Sequence, residues 1–334
     1  MLNNVTISTR VRFARNLNEF PFSNSMSSEQ CEVLIQKIDM GIKKVKMGGG
    51  FELIRMSELS NIDCIALVET HLISPKLLEN KSVGALLLSK DHTISIMINE
   101  EDHLRIQVIL PGQKTREAYN MAVEIDEHLE VLGYSCDKKF GYLTSCPTNT
   151  GTAMRVSIML HLPAIIKTGN LDRAMESCNK LGIAVRGMYG ENSEALGNMI
   201  QISNQVTLGH TEEELLTSVE RIANQIVEWE IQLRLSLIQN DRIGIEDEVY
   251  RAFGVLENAR RLKTKEALDL LSDLRTGVDL GLFSAITKEV LDELQIMVQP
   301  ATIQKLVGRS MPSAERDIVR ADVVRDRIEQ KRRG

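Results

Sequence analysis

Residues 93–110 read TISIMINEEDHLRIQVIL. Two apolar runs, 94–98 and 104–110, flank a short charged break. A third run, GALLLS at 84–89, comes before them, with Lys90-Asp91-His92 as the turn between 84–89 and 93–99. Short apolar runs separated by polar turns are the pattern of antiparallel strands, so the three runs predict an antiparallel sheet. The break itself, Asn99-Glu100-Glu101-Asp102-His103-Leu104-Arg105, sets three consecutive carboxylates at a strand end, followed by a His and an Arg. Strand ends and turns are where a rigid scaffold presents side chains to a ligand. So much negative charge in one place is costly unless cations or a cationic substrate answer it.

Working outward, residues 5–15 (VTISTRVRFAR) read as a strand or extended entry, and on a strand Arg10 and Arg12 project from one face. Ser27 to Lys46 has helical spacing through Val33, Leu34, Ile38 and Ile42. Gly48-Gly49-Gly50 reads as a turn. Residues 115–132 and 170–182 are expected helices, and 153–162 and 198–204 expected strands. Thr211 with Glu214 forms a capping box that opens a long amphipathic helix to about residue 238. Beyond that, helical patterns dominate, punctuated by Gly254, Gly277, Gly281 and Pro300, with a last charged helix after Pro312. The expectation is an α+β domain over 1–238, an antiparallel sheet flanked by helices, followed by an all-helical domain over 239–334.

The composition fits a soluble globular chain, with 43% hydrophobic and 26% charged residues among 334. A net charge of −6 argues against general nucleic-acid binding. No apolar run nears the length of a membrane span, and the N-terminus lacks a signal-peptide pattern. Cys31, Cys64, Cys136, Cys146 and Cys178 form no CxxC pair and no Cys/His cluster, which argues against a structural metal site or a disulfide framework. A cytoplasmic protein with reduced thiols is the simplest expectation.

No GxxxxGK[ST] loop is present, and no HRD or DFG pattern. Phosphoryl transfer without a P-loop needs several fixed cations, and Arg10, Arg12, Arg105, Arg155 and Arg186 could supply them. Singly, each of these reads as an ordinary surface arginine. A guanidinium is a poor nucleophile, with a pKa above 12, so attack on phosphorus requires fixing its plane and removing a proton. Two flanking carboxylates can do both, and Glu101 and Glu191 could be that pair; otherwise Glu100-Glu101-Asp102 reads as an ordinary solvated acidic turn. Cys146, in the turn-forming Ser145-Cys146-Pro147-Thr148-Asn149, is either an inert thiol or a thiolate facing a cation.

STRVRFAR (8–15), NEEDHLR (99–105), SCPTNTGTAMR (145–155) and RGMYGE (186–191) resemble the motifs of the ATP:guanidino phosphotransferases, the family of arginine and creatine kinases. The resemblance covers about residues 5–238. It implies Mg2+–ATP as the phosphoryl donor, with the metal held mainly through phosphates and water. It implies an ATP site made of Ser8, Thr9, Arg10, Val11 and Arg12, of His71 in VETHLIS, and of Arg105. Arg155, Val156, Ser157, Ile158 and Met159 would join them, with Arg186, Gly187, Met188, Tyr189, Gly190 and Glu191. It implies Glu101 as catalytic base, Glu191 as the second guanidinium carboxylate, and Cys146 as a thiolate beside the guanidinium.

Two departures from the small-molecule kinases refine the expectation. Those enzymes carry a helical domain before the STRVR-type segment, which here starts at Ser8, so an open site is expected. They also lack a helical domain after the catalytic part. Both features resemble the bacterial protein arginine kinases (McsB type), which phosphorylate arginine side chains of proteins. Arg316-Asp317-Ile318-Val319-Arg320-Ala321 is similar to their RDxxRA phosphoarginine-binding motif. Arg316 and Arg320 would be neighbours on one helix face, suited to clasping a phosphoryl group.

The resemblance further implies a stress-response role in protein quality control. Its partners would be an McsA-type zinc-finger activator, a Clp unfoldase/protease and a second copy in a homodimer formed through the helical domain. Leu268, Leu270, Leu271 and Leu274 fit such an interface or a private core equally well. Two other readings stand beside this one: a kinase for free arginine or another small guanidino compound, and a non-catalytic phosphoarginine-binding adaptor.

Overall fold

The structure, a computed structural model, describes residues 5–187 and 195–333. The first part of the chain runs β1 (Thr6–Arg15), α1 (Ser28–Ile42), β2 (Phe51–Arg55), α2 (Asn61–Glu69) and α3 (Pro75–Glu79). The three runs around the charged break follow as β3 (Ala85–Ser89), β4 (Ile94–Ile98) and β5 (Leu104–Pro111). Then come α4 (Thr115–Glu130), the small hairpin β6 (Cys136–Asp137) and β7 (Gly141–Tyr142), β8 (Met154–His161), α5 (Pro163–Lys167) and α6 (Leu171–Lys180). Strands β9 (Ile183–Gly187) and β10 (Met199–Asn204) precede the long α7 (Glu212–Asn240).

One eight-stranded sheet, in the order β2-β3-β4-β5-β1-β8-β10-β9, organises this part. Every neighbouring pair is antiparallel. Alternation then assigns each side chain to a face. Val11, Phe13, Ile96, Ile106, Val108, Val156, Ile158 and Ile202 turn to one face and are fully buried, or nearly so. There they meet Leu34 and Ile38 of α1, Ala122 and Ile125 of α4, and Val219 and Ile222 of α7. Burial of each large aliphatic side chain stabilises by about 1.5–3 kcal/mol, so this layer carries the fold.

The capping box at Thr211 is present: Thr211 Oγ1 accepts from Glu214 N at 3.2 Å, and Thr211 N donates to Glu214 Oε2 at 2.9 Å. Val33 departs from the expected apolar stripe of α1 and is exposed. The Gly48–Gly50 turn has positive φ at all three residues. A Cβ on Gly48 would lie 2.6 Å from Ser89 Cβ, so the turn tucks against the end of β3.

The remaining helices are α8 (Arg242–Asn258), α9 (Thr264–Asp279), α10 (Lys288–Met297), α11 (Pro300–Val307) and α12 (Ser313–Arg333). They enclose a core of their own from Val249 to Ile328. Leu268, Leu271 and Leu274 lie buried in that core, and Leu270 packs against it. Gly254 and Gly277 do not punctuate the helices but sit inside α8 and α9. At Gly277 a Cβ would meet Val249 Cγ1 at 2.4 Å, so the glycine lets the two helices approach.

The helical part is fastened to the sheet by a buried polar cluster. Arg234 donates to Glu230 at 2.6 Å, to Asp279 at 2.9 Å and to the His161 carbonyl at 2.9 Å, while His161 Nε2 lies 2.7 Å from Ser272 Oγ. Among the described residues no helix is long and apolar enough to cross a membrane.

Candidate active site

The sheet face opposite the main core has two unlike halves. Leu86, Leu88 and Met97 on β3 and β4 are covered by Cys64 of α2, Leu77 of α3 and Ile73 between them. Beyond β4 the same face is open and carries arginine. Register places Met97 opposite Arg105, Arg105 opposite Ala14, and Arg12 opposite both Gln107 and Arg155. Farther along, Arg10 faces Ser157, and Gln201 faces Arg186. Four strands thus bring Arg10, Arg12, Arg105, Arg155 and Arg186 to one side.

These residues line two adjoining hollows that share Arg12, Glu100, Glu101, Arg105 and Arg186. One, of about 320 Å³, adds Cys146, Thr148, Asn149 and Arg155. The other, of about 560 Å³, adds Arg10, His71, Ser74, Lys76 and Gln201. Guanidinium groups held this close repel one another. Burial, then Arg105 and Arg155, lower the Arg10 pKa to about 9. Burial, Arg10 and the other arginines also push the Arg12 pKa well down, with Glu100 pulling the other way. Arg10 uses Gln201 Oε1 at 2.5 Å and Ser157 Oγ at 3.4 Å, but the buried Nε of Arg12 has no hydrogen-bond acceptor among the described residues. A polyanion entering the cleft would relieve the repulsion and supply that acceptor, so the donor set fits a nucleotide polyphosphate.

The three carboxylates of the charged break separate in space. Glu100 is buried, pairs with Arg105 and accepts from the Ser74 hydroxyl and, at 3.1 Å, from Glu101 N. Burial alone would raise its pKa, but Arg105 and these donors outweigh it and lower it. Asp102 is buried too, accepting from Asn16 Nδ2 and Ser145 N, each at 2.7 Å. His103 fixes the turn from below: its Nδ1 accepts from Leu17 N at 2.9 Å, its Nε2 lies 2.8 Å from the Pro21 carbonyl, and burial lowers its pKa. Asn99 takes the left-handed φ of 58° that the turn requires. Glu101 alone of the three lines both hollows with no hydrogen bond to its carboxylate from the described residues. Burial, Asp102 and Glu100 raise its pKa above the usual carboxylate value.

Cys146 stands at the cleft with Sγ 3.0 Å from Thr148 Oγ1, and Arg155 Nη2 donates to Asn149 Oδ1 at 3.4 Å. His71 lines the larger hollow with φ 60°, and burial and Arg10 lower its pKa to about 4. Its carbonyl accepts from Gln107 Nε2 at 2.9 Å.

Several expected site residues lie elsewhere. Alternation sends Thr9, Val11, Val156 and Ile158 to the buried side, so their side chains do not reach the cleft, and Thr9 Oγ1 donates to the Gly112 carbonyl at 2.8 Å. Ser8, Ser157 and Met159 keep the cleft's face by register. Gly187 ends β9 beside Arg186, whereas Met188, Tyr189, Gly190 and Glu191 lie outside the described residues.

The clasp expected of Arg316 and Arg320 is not an open pair. Arg320 is 1% exposed and donates to Val298 O, Leu262 O and Asp317 Oδ1, each at 2.7 Å. Arg316 Nη1 donates to the Met311 carbonyl at 3.1 Å, and Ala321 is buried in the helical core. An i,i+4 spacing does not reveal which neighbour is covered by other helices.

Ser74, Lys76 and Gln201 were not anticipated. Gln201 carried a readable signal, since it alternates with buried Ile200 and Ile202, while Lys76 carried none. Among the described residues no His/Cys/Asp/Glu group could hold a metal ion by itself.

Residues 33–233 match the ATP:guanido phosphotransferase C-terminal catalytic domain, and residues 242–334 match the protein-arginine kinase McsB C-terminal domain. The chain is similar to the protein-arginine kinase of Geobacillus kaustophilus, 44% identical over 334 residues, covering 99% of this chain and 92% of that protein. It is likewise 45% identical over 331 residues to that of Caldanaerobacter subterraneus, covering 98% of each. Solved structures share the fold at lower identity. Lombricine kinase gives a TM-score of 0.60 at 20% identity, covering 69% of this chain and 67% of that one. The duplicated taurocyamine kinase of Schistosoma mansoni with bound transition-state-analogue components gives 0.62 at 21%, covering 87% of this chain and 40% of that one. An arginine-lined face around the Glu101 carboxylate, two matching family models and relatives aligned over nearly the whole chain lead to one statement: this chain belongs to the protein-arginine kinases of the ATP:guanido phosphotransferase family.

Proposed function

We propose that this protein transfers the γ-phosphoryl group of ATP to arginine side chains of proteins. The observation that carries the reading is the isolation of Glu101. Its two neighbouring carboxylates are held by fixed partners, Glu100 by Arg105 and Ser74 and Asp102 by Asn16 and Ser145 N, while the Glu101 carboxylate accepts no hydrogen bond from the described residues and shares the two hollows with five arginines, its pKa raised. In the reaction a guanidinium nitrogen attacks the γ-phosphorus, the N–P bond forms, and the bond to the β–γ bridging oxygen breaks as ADP departs. Glu101 takes the proton from the attacking nitrogen, for which a pKa nearer neutrality suits a base. Arg10, Arg12, Arg105, Arg155 and Arg186 hold the phosphates and the charge that grows on the transferring group.

Cys146 faces the guanidinium; by motif Glu191 is the second guanidinium carboxylate, and Met188, Tyr189 and Gly190 belong to the ATP site. Magnesium, when bound, would supply charge neutralisation at the phosphates and would be held mainly through phosphate oxygens and water, since Glu100 and Asp102 are already engaged by the chain. The Clp, McsA-type and homodimer partners and the stress-response setting are carried by the resemblance, and the cytoplasmic setting by the cysteine pattern. Phosphoarginine binding by the 316–321 segment is carried by the resemblance too.

The test is one incubation with ATP and magnesium, offering free arginine, a folded protein and an unfolded protein, read as acid-labile phosphate. Phosphate on protein arginine, absent with Glu101→Gln, is expected. Labelling of free arginine alone would replace the reading with a metabolite kinase. Binding of phosphoarginine with no transfer would replace it with an adaptor.

A further inference from the structure

Helix α11 starts without a cap of its own: Gln299 occupies the N-cap position and makes no side-chain hydrogen bond there. The first N–H groups of a helix have no intrahelical acceptor and need one from outside. Here it comes from the catalytic part. The Glu69 carboxylate accepts from Ala301 N at 2.8 and 3.1 Å, from Thr302 N at 2.7 Å and from Thr302 Oγ1 at 2.9 Å. Glu69 is only 9% exposed. A carboxylate on a helix N-terminus makes charge-assisted bonds along the favourable end of the helix dipole, so this is a strong joint rather than a passing surface contact.

Glu69 is also the last residue of α2, and the turn that follows it forms a wall of the cleft. Thr70 N returns to Ala66 O at 3.0 Å, and His71 N to Val68 O at 2.9 Å. His71 then takes a left-handed φ of 60°, uncommon for a residue with a Cβ. At the far end of the turn the Ser74 hydroxyl bonds Glu100, the partner of Arg105 and the neighbour of Glu101. The turn is therefore pinned at one end by the site and at the other by a helix from the C-terminal part.

We propose that Glu69 is a positioning residue through which the helical part holds the 70–74 turn, and with it His71, in the shape that receives the nucleotide. The proposal rests on reading the cleft as an ATP site. It makes the C-terminal helices a structural component of nucleotide binding as well as a separate module.

The experiment uses the full chain with Glu69→Ala. ATP is titrated by calorimetry, and KM for ATP and kcat are measured on a protein substrate. KM and Kd for ATP should rise about tenfold, near the worth of one charge-assisted bond, while kcat stays within about twofold. Unchanged KM, or a fall in kcat at unchanged KM, overturns the proposal.

Loss of the cap could also act through stability alone, so Glu69→Ala is combined with Gln299→Ser, which gives α11 a cap of its own. Recovery of Tm without recovery of ATP affinity is expected, whereas joint recovery overturns the positioning role. If Glu69→Ala does not fold, Thr302→Val removes one of the four bonds. A smaller rise in KM supports the proposal, and none overturns it. Calorimetry judges Glu69 even if no protein arginine is phosphorylated, so failure here and failure of the proposed activity are separately visible.

Discussion

The two halves of one sheet face are built to opposite ends. Over β3 and β4 the face carries Leu86, Leu88 and Met97 and is sealed by α2 and α3. Over β5, β1, β8 and β9 it carries five arginines and is left open. Both halves are the same backbone with the same pleat. The difference teaches that a site can be made by omission: where no helix covers the sheet, side chains too charged to be covered become the floor of a cleft. The boundary runs between Met97 and Arg105, which sit opposite each other, and the charged break that holds Glu101 connects those two strands.

The sharpest way to break the comparison is Glu101→Gln. It preserves shape, removes the base, and should lower turnover by about 10²–10⁴-fold, the usual worth of a general base, with little change in Tm. In the wild type, the raised pKa of Glu101 predicts an acid limb above the ordinary carboxylate range: activity should fall as pH drops through that raised value, because the protonated carboxyl cannot accept a proton. A variant of near-normal turnover would remove Glu101 from the chemistry.

On the covered half the expected effect is on stability. Leu86→Ala should cost about 2–5 kcal/mol by denaturant unfolding, with KM and kcat little changed in the folded fraction. An activity loss exceeding the loss of folded protein would mean that the halves are not separable.

Arg155→Ala, on the open half, should lower turnover by about 10²–10³-fold, as for removal of one transition-state donor, and weaken ATP binding less. Stability should hold or rise, since Arg155 repels Arg10 and Arg12. Equal loss in ATP affinity and turnover would make it a ground-state phosphate ligand only.

The smallest of these effects separates the tail arginines. Arg320→Ala leaves the carbonyls of Val298 and Leu262 without their donor and should lower stability by about 1–3 kcal/mol, whereas Arg316→Ala should leave Tm almost unchanged. Equal Tm for both variants would contradict the burial of Arg320.

Much of this was legible beforehand. The strands around residues 84–110, the capping box at Thr211 and the arginines of β1, β5 and β8 all follow from period and local chemistry, because alternation and caps depend on near neighbours in sequence. Gly277 misled for the opposite reason. A glycine that reads as a break is a packing surface once Val249 arrives from another helix. The contiguous set from Thr9 to Val11 and from Val156 to Ile158 had to divide, because successive strand residues cannot share a face.

The sequence by itself determined that the chain carries an antiparallel sheet, a helical C-terminal part, and arginines and carboxylates in the motifs of guanidino phosphotransferases. Residue type and spacing record those things directly. Only the tertiary structure decided which of three adjacent carboxylates is left free, that Arg320 is spent on backbone carbonyls, and that Glu69 caps a helix from the other end of the chain. Each of these depends on which groups meet across long stretches of sequence, and a buried polar group takes its role from the partner that satisfies it.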